Sequence, residues 1–139
     1  MNKKWIIIAS LNGAIAVSLG ALASHYLKGK IPADSIANFK LASQYQMIHA
    51  LLMLVMSYLS KDFPKLKTVL NTLLLGIVFF SGSIYILSSK IVTGTIFAKI
   101  LGPLTPLGGI LIIFSWIWLA YIVLDSNKDK KLEALDSTE

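Results

Sequence analysis

Two histidines, His25 at the end of the first long apolar stretch and His49 within the second, are the side chains there that can change charge near neutral pH, so any chemistry inside those stretches begins with them. His49 shares a helical face with Asn38, Ala42, Tyr45 and Met56, reached by steps of four, three, four and seven, and Gln46 precedes it by one turn. Together with Gln44, these residues outline a polar cluster of His25, Asn38, Gln44, Tyr45, Gln46 and His49. Such a cluster can form a binding pocket between two helices. It can also simply tie helices together through hydrogen bonds, each worth roughly 0.6–2 kcal/mol in a membrane.

A metal or haem site would need the two imidazoles, with Met47, Met53 or Met56, to converge. At 1.5 Å per residue, His25 and His49 differ in depth by about 10–15 Å, which argues for two polar levels over one histidine pair. The chain has no Cys, and two His without a thiolate or acid fall short of a closed zinc site. Ser81 and Ser83 could serve as nucleophiles, but no carboxylate lies in the apolar stretches to orient a histidine beside them. The same absence of Asp and Glu weighs against proton- or cation-coupled transport. The expectation is no catalytic residue, no metal and no cofactor.

The elements that must position these residues are four uncharged stretches at residues 5–23, 41–59, 69–89 and 104–124. Each is 19 to 21 residues long, enough for a helix to cross roughly 30 Å of hydrocarbon. Charged residues make up only 14% of the chain, well under the quarter or so usual in soluble domains. The expected fold is all-α, an integral membrane four-helix bundle with short loops. Its spans should cover about 5–27, 35–59, 68–89 and 104–124, forming one domain over residues 1–124. Residues 125–139 should form a polar cytoplasmic tail that frays into solvent.

The net charge of +6 comes from 13 Lys without Arg, and the lysines flank the spans. That pattern implies anionic lipid headgroups as partners, whereas nucleic acid recognition would need a basic helix face or a stacking platform. Lys3, Lys4, Lys61, Lys65, Lys67, Lys128, Lys130 and Lys131 fall on one side of the predicted spans, and Lys28, Lys30, Lys40, Lys90 and Lys99 on the other. Eight against five places both termini in the cytoplasm of a cell inner (plasma) membrane protein. The first stretch also has the look of a secretory leader ending at Ala21-Leu22-Ala23. Its small residues, Ala9, Gly13, Ala16, Gly20 and Ala23, nevertheless share one face suited to close helix packing, which points to a retained helix.

Small residues recur at Ser81, Gly82 and Ser83 in the third stretch and at Gly108 and Gly109 in the fourth. With Gly13 and Gly20 they are the expected helix-packing positions. Pro32 opens the second helix, with Asp34 or Ser35 able to cap it. Thr105 as N-cap and Pro106 at the first helical position mark the start of the fourth. Trp116, Trp118 and Tyr121 fit an interfacial aromatic anchor near its inner end. Residues 91–101 are too short and too interrupted by Gly94 to span, and read as an interfacial turn or short helix.

Four ordered blocks resemble a known family: residues 19–27, 38–51, 80–85 and 102–109. In sequence they read LGALASHYL, NFKLASQYQMIHAL, FSGSIY and GPLTPLGG. The chain looks like the small bacterial YgdD/YwdK-type membrane proteins, a domain-of-unknown-function family with animal relatives. Ser24 departs from the Gly or Ala usual before the histidine, and the link at residues 90–101 is longer than usual. The resemblance implies a four-span membrane protein and carries no activity, ligand or catalytic residue.

Two functions from different classes fit. The first is a non-enzymatic packing or accessory module that binds itself, another membrane protein or lipid. The second is a small oligomeric transporter or channel for a neutral or lipophilic solute, using a polar pocket between spans one and two.

Overall fold

The computed structural model describes the backbone of residues 2–89 and 95–136 and the side chains of residues 2–89 and 98–126. It is helical throughout, without a strand among the described residues. Helix α1 is Lys3–His25 and α2 is Ala33–Leu59. Helix α3, Leu66–Ile77, passes through a π-helical turn at Val78–Gly82 into α4, Ser83–Ser88, so that Leu66–Ser88 forms one rod. Helix α5 is Thr95–Asp136.

Three of these elements are long and apolar enough to cross a membrane: Lys3–His25, Leu66–Ser88 and Ala98–Ser126. The second helix is long but carries Asp34, Lys40, Gln44, Gln46 and His49, and it falls outside that set. The composition of α2 follows from its position. It lies between α1 and the α3–α4 rod, and the rod in turn packs on α5. Ser43, Gln46, His49 and Ser57 are all buried in α2. A helix flanked by protein can direct polar groups at its neighbours where an outer helix must face lipid.

The core gathers at one end of the bundle. Trp5 and Ala9 of α1 meet Met53 and Met56 of α2, Leu66, Val69, Leu70 and Leu73 of α3, and Ile122 of α5. The first peptide group is tied in as well, since the Asn2 N–H donates to the Ser57 carbonyl at 3.2 Å. At the opposite end Gly29, at φ 79°, turns the chain from α1 into α2. No side chain caps α2; Pro32 precedes it in an extended conformation, and Asp34 sits in its first turn facing the positive end of the helix dipole.

Two sequence expectations for the fourth helix are corrected. The helix does not begin at Thr105 but runs from Thr95, with Pro103 and Pro106 inside it. Between the prolines, the Thr105 hydroxyl donates to the Leu101 carbonyl at 3.5 Å and lies 2.6 Å from Ser83 Oγ, which ties α5 to the rod. Membrane helices tolerate interior proline where hydroxyls and neighbouring helices satisfy the freed backbone groups. The link at residues 91–101 is therefore helical from Thr95, and residues 90–94 lie outside the described residues. The polar tail is helical to Asp136 as well. Residues 125–136 contain no Gly or Pro, and extending an existing helix is far cheaper than nucleating one.

The packing glycines behave unequally. A Cβ on Gly20 would meet Ser43 Oγ at 2.8 Å, whereas one on Gly13 would make ordinary contact with Ala50 and Met47. Gly109 lies 3.8 Å from the Phe80 ring by the same measure. Gly108 is the tightest position, its missing Cβ pressed against the backbone of Gly76, Phe79 and Phe80 in the rod. Gly82, expected to sit at a close approach, has open space where a Cβ would be. The close approach instead belongs to Gly76 and Gly108, and Gly82 borders a cleft beside α1.

Candidate functional site

Both α1 and the α3–α4 rod lean on α2, and a cleft of 430 Å³ opens between them. Ile8, Leu11, Ile15 and Leu19 recur at three- and four-residue steps along one face of α1 and form one wall. Leu74, Ile77 and Val78 form the other, and Ser81 and Gly82 edge it. Leu11, Ile15 and Val78 are each more than half exposed, so the cleft opens sideways out of the bundle.

Its floor is polar. Gln46 Nε2 donates to both the Asn12 side-chain oxygen, at 2.6 Å, and the Asn12 carbonyl, at 3.1 Å. Tyr85 Oη donates to Gln46 Oε1 at 2.8 Å. One buried amide thus joins three helices. Hydroxyls add further ties: Ser43 Oγ donates to the Ala16 carbonyl at 2.8 Å and Ser81 Oγ to the Ala42 carbonyl at 3.0 Å. Ser83 Oγ bonds the carbonyls of Phe79 and Phe80 and pairs with Thr105. No buried side-chain nitrogen or oxygen among the described residues lacks a partner.

His49 belongs to a second polar level, on the α5 side of α2. Its Nδ1 lies 2.6 Å from the Tyr45 carbonyl, which can only accept, so Nδ1 carries the proton. Nε2 is then the acceptor for Trp116 Nε1–H at 3.3 Å. Tyr45 stacks over the imidazole, ring centroids 6.0 Å apart, and also tilts against Phe80 at 5.0 Å. With one nitrogen donating and the other accepting, the ring has no lone pair left for a metal ion. No group of three or more His, Asp or Glu among the described residues could hold one.

The six residues of the expected cluster therefore separate. Gln46 and His49 are buried, on different sides of α2, and Tyr45 is partly exposed beside His49. His25, Asn38 and Gln44 are exposed on the surface of α1 and α2 and are not part of either level. The partners missed from sequence are Asn12, Tyr85 and Trp116. Asn12 had a signal, as the one amide in an otherwise apolar first stretch next to Gly13 on its small-residue face. Tyr85 reads as an ordinary aromatic and Trp116 as part of an interfacial anchor, whereas the packing of the rod and α5 turns both toward α2, where Trp116 bonds His49.

The family described as "Protein of unknown function (DUF423)" matches residues 19–109. The UPF0382 membrane protein YwdK of Bacillus subtilis is 39% identical over 120 residues, covering 84% of this chain and 93% of the relative. A UPF0382 membrane protein of Staphylococcus aureus is 38% identical over 123 residues, covering 84% and 92%. Another from Haemophilus influenzae is 31% identical over 133 residues, covering 95% and 100%. No solved structure matches the chain. With a family match over most of its length and relatives this similar along nearly their whole span, the chain belongs to the DUF423 family of membrane proteins of unknown function.

Proposed function

We propose that this protein is a non-enzymatic accessory module of the plasma membrane that holds the aliphatic part of a lipid in its lateral cleft. The observation that carries this reading is the cleft between α1 and the α3–α4 rod: apolar walls, a lateral opening and a volume of 430 Å³. An apolar chain entering it gains dispersion contacts with both walls, and the polar floor sets its depth. The transporter alternative fits less well, because Asn12, Gln46 and Tyr85 bond one another and form no chain of free polar groups across the bundle. Catalysis fits less well for a related reason, since the hydroxyls of Ser81 and Ser83 are spent on carbonyls and on Thr105.

The reading takes all four helices as spans. Helix α2 runs along α1 from the Asn2–Ser57 bond at one end to the Ala16–Ser43 bond toward the other. Two antiparallel helices paired over that length share one depth, so α2 crosses wherever α1 does. Lys3, Lys4, Lys61 and Lys67 gather at one end of the bundle, which we assign to the cytoplasm. In this Cys-free chain, a thiol reagent that cannot cross membranes should label Lys30→Cys from outside intact cells and Lys65→Cys only after permeabilisation. Labelling of Lys65→Cys from outside would reverse the orientation.

The cleft itself is tested with a photoactivatable long-chain alkyl probe in the full-length protein. The probe should crosslink to α1 and α3 residues of the cleft, and Val78→Trp, which fills the space with an indole, should lower that labelling at least several-fold without changing the melting temperature. Equal labelling of the variant, or labelling confined to α5, would remove the basis of this function.

A further inference from the structure

A strongly basic depression lies at the end of the bundle where α1 and α3 begin. Lys3, Lys4, Lys61 and Lys67 line it together with Asn2, Ser60 and Pro64, around 560 Å³ of open space. No carboxylate lines it. The nearby acids Asp62 and Asp125 line a separate depression with Lys65, where Lys65 pairs with Asp125 at 2.9 Å. Neither α1 nor α3 has a side-chain cap or an acidic residue in its first turn, so both helix N-termini add uncompensated positive potential at this end.

The depression is in register with the cleft. Lys4 lies one turn before Ile8 on the face of α1 that forms a cleft wall, and Lys67 lies two turns before Leu74 on the opposite wall. From Ile8 to Leu19 the wall rises about 16 Å, roughly half of the ~30 Å hydrocarbon thickness, or one leaflet. Positive charge therefore stands at the depth of the phosphate groups, directly below an apolar groove one leaflet tall. At the other end, the depression near Lys28 and Lys40 lies between α1 and α2 and not beside the groove.

From this register we infer that the occupant of the cleft is an anionic phospholipid, its acyl chain between α1 and α3 and its phosphate held by Lys3, Lys4, Lys61 and Lys67. The inference rests on the cleft reading above and adds the headgroup class and the leaflet. Recognition is of charge more than shape, because ammonium groups on flexible stems act as point charges and do not form the planar fork that arginine offers.

Full-length protein in mixed nanodiscs of phosphatidylglycerol and phosphatidylcholine with identical acyl chains provides the test, with bound lipid read by native mass spectrometry. The anionic lipid should be retained on the order of ten-fold or more over the zwitterionic one, since each lysine near the headgroup is worth roughly five-fold. Lys4→Gln with Lys67→Gln should erase most of that preference while leaving alkyl-probe labelling of the cleft intact. Lys28→Gln with Lys40→Gln should leave both unchanged. Equal retention of the two lipids by the native protein, or an equal loss of preference from the Lys28/Lys40 pair, would overturn the headgroup inference while the cleft reading stands. Full displacement of the lipid by soluble glycerol phosphate would overturn it too, by showing a site for a free anion. Loss of alkyl labelling in the native protein with the lipid preference preserved would instead overturn the cleft reading.

Discussion

Gly108→Ala should destabilise this protein more than any other single-methyl addition. The new Cβ would fall 2.8 Å from the Gly76 carbonyl oxygen and 2.8 Å from the Phe79 carbonyl carbon, and closer still to the Phe80 nitrogen. All three are backbone atoms of the rod, so no side chain can rotate away, and α5 itself has to move. Overpacking of this kind costs about 1–3 kcal/mol even where flexible side chains share the strain, and rigid backbone puts this case at the upper end. Thermal unfolding in detergent, followed by helical circular dichroism, should show a lower midpoint for Gly108→Ala. Gly82→Ala is the matched control. Its Cβ meets nothing within 4 Å, and replacing glycine in a helix gains about 0.5–1 kcal/mol, so it should melt at or above the native midpoint. Identical melting of the two variants would mean that α5 does not approach the rod at Gly108.

Gln46→Leu should be the second large perturbation. It removes the shared partner of Asn12 and Tyr85 and leaves two polar side chains facing an alkyl group. With each interhelical hydrogen bond worth roughly 0.6–2 kcal/mol, the loss should reach about 1–4 kcal/mol. Tyr85→Phe breaks only one of these bonds and should cost less. Asn12→Leu combined with Gln46→Leu should cost less than the sum of the two single changes, since residues in one network couple by about 0.5–3 kcal/mol. Denaturation of the four variants in one detergent measures this directly. Strict additivity would show that Asn12 and Gln46 do not share a bond.

Much of the architecture was legible because hydrocarbon leaves few choices. The apolar stretches at residues 5–23, 41–59 and 104–124 lie inside helices and the one at 69–89 runs to the C-cap of the rod, since a backbone in lipid must satisfy its own hydrogen bonds. The limits of the fourth helix were not legible. Thr105-Pro106 is a strong start signal in water, but a membrane helix packed on neighbours tolerates interior proline, and α5, packed on the rod, runs through Pro103 and Pro106. The candidate site was half legible. Gln46 and His49 stood out as polar groups in an apolar run, and both are buried. The grouping failed because residues three apart on a helix differ by about 60° around its axis, enough to aim Gln46 at α1 and His49 at α5. Which neighbour each one meets depends on the order of helices around α2, and one sequence does not encode that order locally.

The π-helical turn at Val78–Gly82 has a bearing on how such a chain can diverge. It holds one residue more than an α-helical path would, and one residue corresponds to about 100° of rotation. Everything beyond Gly82 is therefore phased by that single extra position, including the Tyr85 hydroxyl that reaches Gln46. Losing one codon in this segment would restore an unbroken helix of nearly the same length and hydropathy. Tyr85 would keep its bearing, because the residue removed is the one by which the turn exceeds the α-helical path. A lineage could thus lose the turn through a deletion and keep the hydroxyl at the cleft floor, whereas straightening the turn with every residue retained would put Ile84 at that bearing.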